Sequence, residues 1–414
     1  MYRVWFSRLF LTAVAASALA AIVGGTACTR WGQPGPITPT LAPLVSIYVS
    51  ATTGSDTSGN GSMSAPYKTL TKAVAVLVAA KSVSPNGVTI SLGSGNYDAA
   101  NGEKFPIVIP RSVSISGANY GAGPKSGSFV DGFGEDTIFE QIVHTARHSV
   151  YTTVETVPPA KLSLGNLYVG ASKISLPARA LYASVDVIGT LSGAVTSFGA
   201  GFVSTANNLN GVLVASGSLT CDTCQIRGNG FGIGALTVPL PTTSPASGVP
   251  SITLTHTSHG DSTVGAKVAD ILTDGSANVN ASGATFARQG IAYADTFAPV
   301  VPTLIRGTVD FGGGAAGSSG GNGFIGARST EIFVTRRNET VSALDDTWNP
   351  NQQRANRNGK YPRTITFGSG TAGKNVTVLH GAVGSTVTVG PAPAPTPTPS
   401  TTPSGSPSPT STPT

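Results

Sequence analysis

The spacing of short apolar strands is the feature that most constrains how this chain can fold. Past residue 85, strand-like segments bounded by Gly, Asn, Pro or Ser recur along the sequence. One apolar position in each segment advances by 23 to 25 residues, and after an interruption at 238–250 by 27 and then 25 residues. Such a period is typical of stacked coils, because each coil buries its strand against the next. The positions are Ile90, Ile115, Ile138, Leu162, Val187 and Val212, followed by Ile252, Val279 and Leu304.

The chain is therefore predicted to be all-β, with residues 44–390 forming a single-stranded right-handed parallel β-helix. The composition agrees, since 52 Gly and only 11% charged residues favour strands and tight turns over helices. Gly-Asn pairs at 165–166, 228–229 and 321–322 suit the corners between coil faces, because both residues tolerate positive φ. Any turn-rich β protein contains such pairs, so a pair of β-sandwiches or a propeller is the alternative architecture.

One early segment has the periodicity of an amphipathic helix. Its apolar residues fall at i, i+3, i+4, i+7 and i+8, and Thr69 is in the position of an N-cap. The first coil of a solenoid would otherwise expose its core and an unpaired strand edge. We expect this short N-terminal helix to cap that end. Its predicted apolar stripe is Leu70, Ala73, Val74, Leu77 and Val78.

The N-terminus has the pattern of an export signal. Arg3 and Arg8 precede an apolar run, Leu9 to Val23, which has the length of a secretory signal rather than of a membrane span. Residues 1–27 are therefore predicted to be a signal peptide. Residues 25–28, Gly-Thr-Ala-Cys, resemble the lipobox of bacterial lipoproteins, which implies a lipid on Cys28 and anchoring to the outer membrane or cell surface. The lipobox usually has Leu where this chain has Gly25, so ordinary cleavage after Ala27 is the alternative.

Two further segments lie outside the predicted β-helix. Residues 28–43 contain four prolines and are predicted to form a tether, and the Pro, Thr and Ser tract at 391–414 is predicted to be a disordered tail. The net charge is +6, and loss of Arg3 and Arg8 leaves +4. No run of Lys and Arg is interleaved with aromatics, which argues against a nucleic-acid partner. Mild attraction to an acidic polysaccharide is compatible with this charge.

Two blocks of the sequence resemble a bacterial family known as domain of unknown function 1565, part of the pectin-lyase-like superfamily of parallel β-helices. The resemblance implies the fold between about residues 47 and 350, and the family name assigns no activity. The first block comprises Ile47–Ser50, Gly54–Asp56, Gly59–Gly61, Ala65–Ala73, Leu92–Tyr97, Phe105–Ile107 and Ser116–Gly117. The second comprises Val309–Gly314, Gly317–Asn322, Val341–Ala343 and Trp348–Asn349.

Lyases on this fold typically pair a Lys or Arg base with acidic side chains that hold calcium, so a site of this kind requires acids that lie close together. Asp222 and Arg227 are the candidate catalytic pair, because they could meet across a turn. A surface ion pair is the other interpretation of these two residues. The remaining acids are interpreted as solvated turn residues, so no metal site is predicted and calcium would be needed only by a lyase. They are Asp131 with Glu135 and Asp136, and Asp345 with Asp346.

Two short motifs contain possible metal or redox ligands. Cys221 and Cys224 have the spacing of a redox dithiol, but no helical pattern follows them to lower a thiol pKa. Export favours a small structural disulfide between them, and two reduced buried cysteines are the alternative. His256 and His259 are three residues apart, a spacing that shares a face on a helix and not on a strand, so metal binding is not expected.

These features predict an exported, lipid-anchored protein of the cell envelope whose β-helix binds polysaccharide or serves a structural or adhesive role without catalysis. The many Ser, Thr and Asn residues would form long polar faces suited to repeated contacts with a polymer. Trp348 could stack on a sugar ring, or it could belong to the core. The alternative function is a polysaccharide lyase or glycoside hydrolase.

Overall fold

The computed structural model describes the chain from residue 42 to residue 390, with gaps. The described ranges are 42–118, 127–131, 150–156, 160–174, 181–187, 190–194, 196–204, 209–227, 231–237, 249–259, 269–286, 291–296, 306–324, 332–336, 338–348, 363–366 and 385–390. None of the helices in these ranges is long and apolar enough to cross a membrane. The predicted signal peptide, Cys28, the tether up to residue 41 and the tail lie outside them.

The strands, numbered β1–β29 in chain order, form three sheets. Sheet 1 has twelve strands, and all its neighbours are parallel except β28 and β29. Its order is β1 (Ser46–Val49), β2 (Val88–Leu92), β5 (Val113–Ser116), β8 (Lys161–Gly165), β11 (Thr190–Ala194), β14 (Ser218–Asp222), β17 (Ser251–Thr255), β20 (Asn278–Ser282), β23 (Val309–Gly312), β26 (Thr340–Leu344), β29 (Thr386–Gly390) and β28 (Arg363–Thr366).

Sheets 2 and 3 are parallel throughout their described strands. Sheet 2 runs β3 (Gly95–Tyr97), β6 (Ser128–Asp131), β9 (Leu167–Ile174), β12 (Ser197–Ser204), β15 (Gln225–Arg227), β18 (Ser258–His259), β21 (Thr285–Phe286), β24 (Gly323–Phe324) and β27 (Thr347–Trp348). Sheet 3 runs β4 (Ile107–Ile109), β7 (Val150–Thr156), β10 (Leu181–Val187), β13 (Leu209–Ala215), β16 (Phe231–Leu236), β19 (Ala269–Thr273), β22 (Ile291–Ala294) and β25 (Ile332–Phe333).

From β2 to β27 the chain visits sheet 1, sheet 2 and sheet 3 in turn, so three strands make one coil, and the last two strands, β28 and β29, both lie in sheet 1. Each strand pairs with the strand one coil earlier and one coil later, which is the pattern of a parallel β-helix. The predicted fold class is therefore confirmed, and the sandwich and propeller alternatives are wrong.

The core is a stack of aliphatic side chains, one from each coil. The clearest stack is on the inner side of sheet 1, where every member is buried and paired in register with the next. Complete burial of each such side chain contributes roughly 1.5–3 kcal/mol. The stack is Val88, Val113, Leu162, Leu191, Leu219, Ile252, Val279, Val309, Val341 and Val387.

The coils are less regular than the predicted period. Ile90 pairs with Ile115, and Ile252 with Val279, as expected. Ile115, however, pairs with Leu164, so the coil after Ile115 takes up about two predicted steps, and the predicted position Leu162 pairs with Val113. Val187 and Val212 lie in sheet 3, where the partner of Val212 is Val185. Ile138 and Leu304 lie outside the described residues.

A ten-residue helix, α1 (Leu70–Ala79), packs against β1 and β4, the first strands of sheets 1 and 3. Thr69 is the N-cap and its side chain accepts a hydrogen bond from the Lys72 amide at 3.0 Å. The predicted stripe is buried except for Val78, which is exposed. The expected capping helix is confirmed. A short 3-10 helix, Ala99–Asn101, follows β3.

Candidate functional site

Two aromatic side chains lie next to each other on the outer side of sheet 2. Phe129 of β6 and Tyr168 of β9 are direct partners in the parallel register. Their ring centroids are 5.6 Å apart and the ring planes are tilted by 38°. Both alternate with inward residues, Val130 and Val169, which are 1% exposed. Strand alternation therefore places this aromatic pair, which is half-buried, on the surface of the coil.

Polar residues continue the same row of sheet 2 on both sides of the aromatic pair. The register places Asn96 of β3 before Phe129, and Ser197 and then Gln225 after Tyr168. Neighbouring strands are about 4.8 Å apart, so these five residues span roughly 19 Å along the helix axis. An elongated ligand lying across the strands would meet an apolar centre with polar ends.

The outer side of sheet 1 forms a second, uncharged row. Eight strands in succession contribute a small polar side chain at the same register position, and all eight are exposed or half-buried. The next residue in the row, Asp310, is buried and binds the Gly312, Gly314 and Ser318 amides, so the loop after β23 ends this face. The row is Ser46, Thr89, Ser114, Ser163, Ser192, Thr220, Thr253 and Asn280.

Asp222, a predicted catalytic residue, is the last residue of β14 and is exposed to solvent. Its Oδ1 accepts a hydrogen bond from Thr255 Oγ1 at 2.9 Å and lies 3.4 Å from His256 Nδ1. The bond from Thr255, and then that from His256, lowers the pKa of the Asp222 carboxyl. Asp222 is therefore an ionised surface carboxylate at neutral pH.

The predicted pairing of Asp222 with Arg227 is not tested by the described atoms and stays a prediction. Asp222 is in sheet 1 and Arg227 ends β15 in sheet 2, and the Arg227 side chain lies outside the described atoms. The described partners of Asp222 are instead Thr255 and His256, on the next coil. The sequence did not predict Thr255 and His256 as partners of Asp222, because these two residues follow Asp222 by a full coil along the chain.

Cys221 and Cys224 are both buried and both free thiols, so the predicted disulfide is not formed in the structure. Cys221 alternates inward on β14, and Cys224 turns inward after Thr223, whose φ of 54° bends the chain. Burial raises the pKa of the Cys221 thiol well above its usual value. A buried thiol of this kind is unreactive, which agrees with the reduced alternative and not with redox chemistry.

Several acids that the sequence did not single out are buried. Glu103 is 4% exposed and accepts hydrogen bonds from the Leu70 and Thr71 amides at 2.6 and 2.8 Å and from Thr71 Oγ1. Asp295 binds the Thr335 and Arg336 amides. These carboxylates hold turns and the helix N-terminus rather than facing a substrate.

Glu339 is another buried acid and is 1% exposed. Burial, and after it the nearby Asp295, raises the pKa of the Glu339 carboxyl well above its usual value. Its Oε1 accepts a hydrogen bond from the Tyr293 hydroxyl. Within the described part of the chain, no three His, Cys, Asp or Glu residues come close enough to hold a metal ion.

Comparison with known proteins adds a family match. Residues 52–157 match the model of a family described as "Protein of unknown function (DUF1565)". This range contains much of the first block that resembles the family, and the second block lies beyond it. No curated protein matches the chain.

Several solved structures are similar to this chain at low sequence identity. The lacto-N-biosidase of Eubacterium ramulus, a GH136 enzyme, is 11% identical, with 73% of this chain and 60% of that chain covered and a TM-score of 0.35. A rhamnogalacturonan lyase is 10% identical, with 73% and 70% covered and a TM-score of 0.34. The chain spans about 60% of the biosidase length. The family matched by residues 52–157 is itself one of unknown function.

Proposed function

We propose that this protein binds polysaccharide on the outer surface of its β-helix, without cleaving it, at the cell envelope. The observation that carries the proposal is the pairing of Phe129 and Tyr168 in register on sheet 2. Aromatic faces pack against the apolar faces of sugar rings, and polar groups at either end can bind sugar hydroxyls. Asn96 and Gln225 occupy such positions in the same row.

The sequence supplies the proposed location. The basic start, the apolar run and the small residues before Cys28 are the features of an exported lipoprotein. A lipid on Cys28 and the Pro-rich residues 28–43 would hold the β-helix at a distance from the membrane. A long sheet surface displayed in this way suits a polymer better than a small diffusible ligand.

Binding is tested with a glycan array of neutral and acidic polysaccharides, using the full-length exported protein purified in detergent. Phe129→Ala and Tyr168→Ala are each expected to weaken the best ligand by about 1–2 kcal/mol, or roughly five- to thirtyfold in Kd. Tyr48→Ala is the matched control, because Tyr48 is a partly exposed tyrosine on sheet 1. Equal affinity of all four proteins for every bound glycan would refute the proposed surface.

Glycan cleavage is the second candidate function, and the contact between Asp222 and His256 is the observation that favours it. An ionised carboxylate next to an imidazole can act as a base and an acid in hydrolysis or elimination. Asp222→Asn would then abolish release of reducing or unsaturated ends from polysaccharides, with and without added calcium. Absence of turnover by the unmodified protein would leave binding as the function.

A further inference from the structure

A cavity of about 350 Å³ opens at the C-terminal end of α1. Its walls come from the helix, from the segment between the helix and β2, and from the residues around the start of β5. This volume is within the range of sites for small molecules. The cavity is therefore large enough for a compact organic ligand and too small for a polymer.

The lining combines an apolar wall with one cation. Val83 and Pro85 contribute exposed apolar surface, the buried Leu77 and Val88 lie behind them, and Arg111 contributes the charge. The Arg111 Nη1 donates a hydrogen bond to the carbonyl of Ala80, the C-cap of the helix, at 3.0 Å. This bond fixes the guanidinium at the cavity and uses one of its five N–H groups. A fixed planar guanidinium is well suited to bind a carboxylate through two parallel hydrogen bonds.

The charges around the cavity also favour an anion. The lining contains no acidic residue. Two acids near α1, Asp56 and Glu103, lie at its N-terminus and not at the cavity. They accept hydrogen bonds there from the Thr69 and Leu70 amides. Lys161, whose side chain is exposed, follows directly after the lining residue Ala160.

We propose that this cavity binds a small organic carboxylate with an apolar body, whose carboxylate pairs with Arg111 and whose apolar part packs between the helix and the segment that follows it. The proposal is independent of polysaccharide binding on sheet 2, because none of the lining residues belongs to the aromatic pair or its row.

The proposal is tested by isothermal titration of the full-length protein with benzoate and with benzamide. Benzamide has almost the same shape but no charge, so it separates the ion pair from apolar packing. Benzoate is expected to bind at least tenfold more tightly than benzamide. Arg111→Gln should remove this difference by weakening benzoate alone, whereas Lys104→Gln, which removes an exposed cation of the same capping region outside the lining, should not change it.

A second variant guards against loss of folding in Arg111→Gln. Val83 is 37% exposed at the cavity, so Val83→Trp can fill the space without disturbing a buried position. It should weaken both ligands, with an unchanged circular dichroism spectrum. Equal affinities for benzoate and benzamide, or benzoate binding that survives both substitutions, would overturn the proposal. Glycan-array results do not bear on either outcome.

Discussion

Asparagine in place of Asp346 is expected to remove part of the pH dependence of the protein's stability. Asp346 follows β26 and its Oδ1 accepts hydrogen bonds from the Asn322 amide at 2.8 Å and from Asn322 Nδ2 at 3.0 Å. Its Oδ2 is buried and has no hydrogen-bond partner among the described residues. Burial raises the pKa of this carboxyl to about 7, although the two bonds from Asn322 oppose the rise.

The sign and size of the effect follow from this pKa. In the unfolded chain an aspartic acid ionises near pH 4, so between about pH 4 and pH 7 the folded protein holds a proton that the unfolded chain has lost. Stability therefore falls as pH rises through this window. Three pKa units correspond to about 4 kcal/mol, and because part of the side chain reaches solvent we expect about 2 kcal/mol.

Asp346→Asn retains the acceptor for Asn322 and cannot ionise. Between pH 3 and pH 8 the free energy of unfolding in urea should fall by about 2 kcal/mol more in the unmodified protein than in the variant. Trp348, the single tryptophan within 44–390, reports on this region by fluorescence. Asp345→Asn is the control, because Asp345 is exposed and its φ of 60° suits asparagine. An identical pH dependence in Asp346→Asn and the unmodified protein would refute the reasoning.

Three further predictions concern the cap, the cysteines and the anchor. Glu103→Ala should lower the free energy of unfolding by about 2–4 kcal/mol, because it leaves two amides at the start of α1 without an acceptor; Glu103→Gln, measured in parallel, should lose less. Cys221 and Cys224 should resist a thiol reagent in the native protein and react after denaturation without a reductant, and a lack of reaction in denaturant would indicate a disulfide. Cys28→Ala should prevent labelling with fatty acid and release the protein from the membrane fraction, and unchanged partition would exclude the lipid anchor.

The sequence predicted the class of fold and one element at residue level, but not the register. The period of 3.6 residues per turn in α1 is local, so Thr69 and four of the five stripe positions could be assigned directly. The coils do not need a constant length, because the strands determine the core while the connecting segments can vary at little cost. A long segment separates Asp131, where β6 ends, from Val150, where β7 begins, which explains why a constant step fails after Ile115.

The same dependence on register explains why the candidate surface was missed. Phe129 and Tyr168 are distant in the sequence and become neighbours only because β6 pairs with β9. Trp348, the aromatic residue considered from the sequence, lies several coils away on β27. Without the strand pairing, nothing in the sequence distinguishes the aromatic pair from other Phe and Tyr residues.

Register also explains the residues whose types suggested chemistry. Cys221 pairs with Gly193 and Leu254, which places it in a second inward row of sheet 1, two residues along each strand from the stack that contains Leu219. Cys224 is the residue just before the sheet 2 strand β15, at the corner between sheet 1 and sheet 2. In the strand pairings, the equivalent corner residues of other coils include Thr196 and Thr257, which are also buried. The hydroxyls of those two threonines bind carbonyl groups at the corner.

Asp346 holds this same corner position on the last described coil of sheet 2. A repeated inward position accepts any small side chain that fills the corner or satisfies its polar groups, so a cysteine or an aspartate there need not have a chemical role. Packing limits which residue types fit an inward position in every coil. At an outward position the residue type is limited only where the side chain contacts a ligand or another part of the protein. A ligand of this β-helix is therefore to be sought on an outward row such as that of Phe129 and Tyr168, and substitutions at the corner should change stability and leave binding intact.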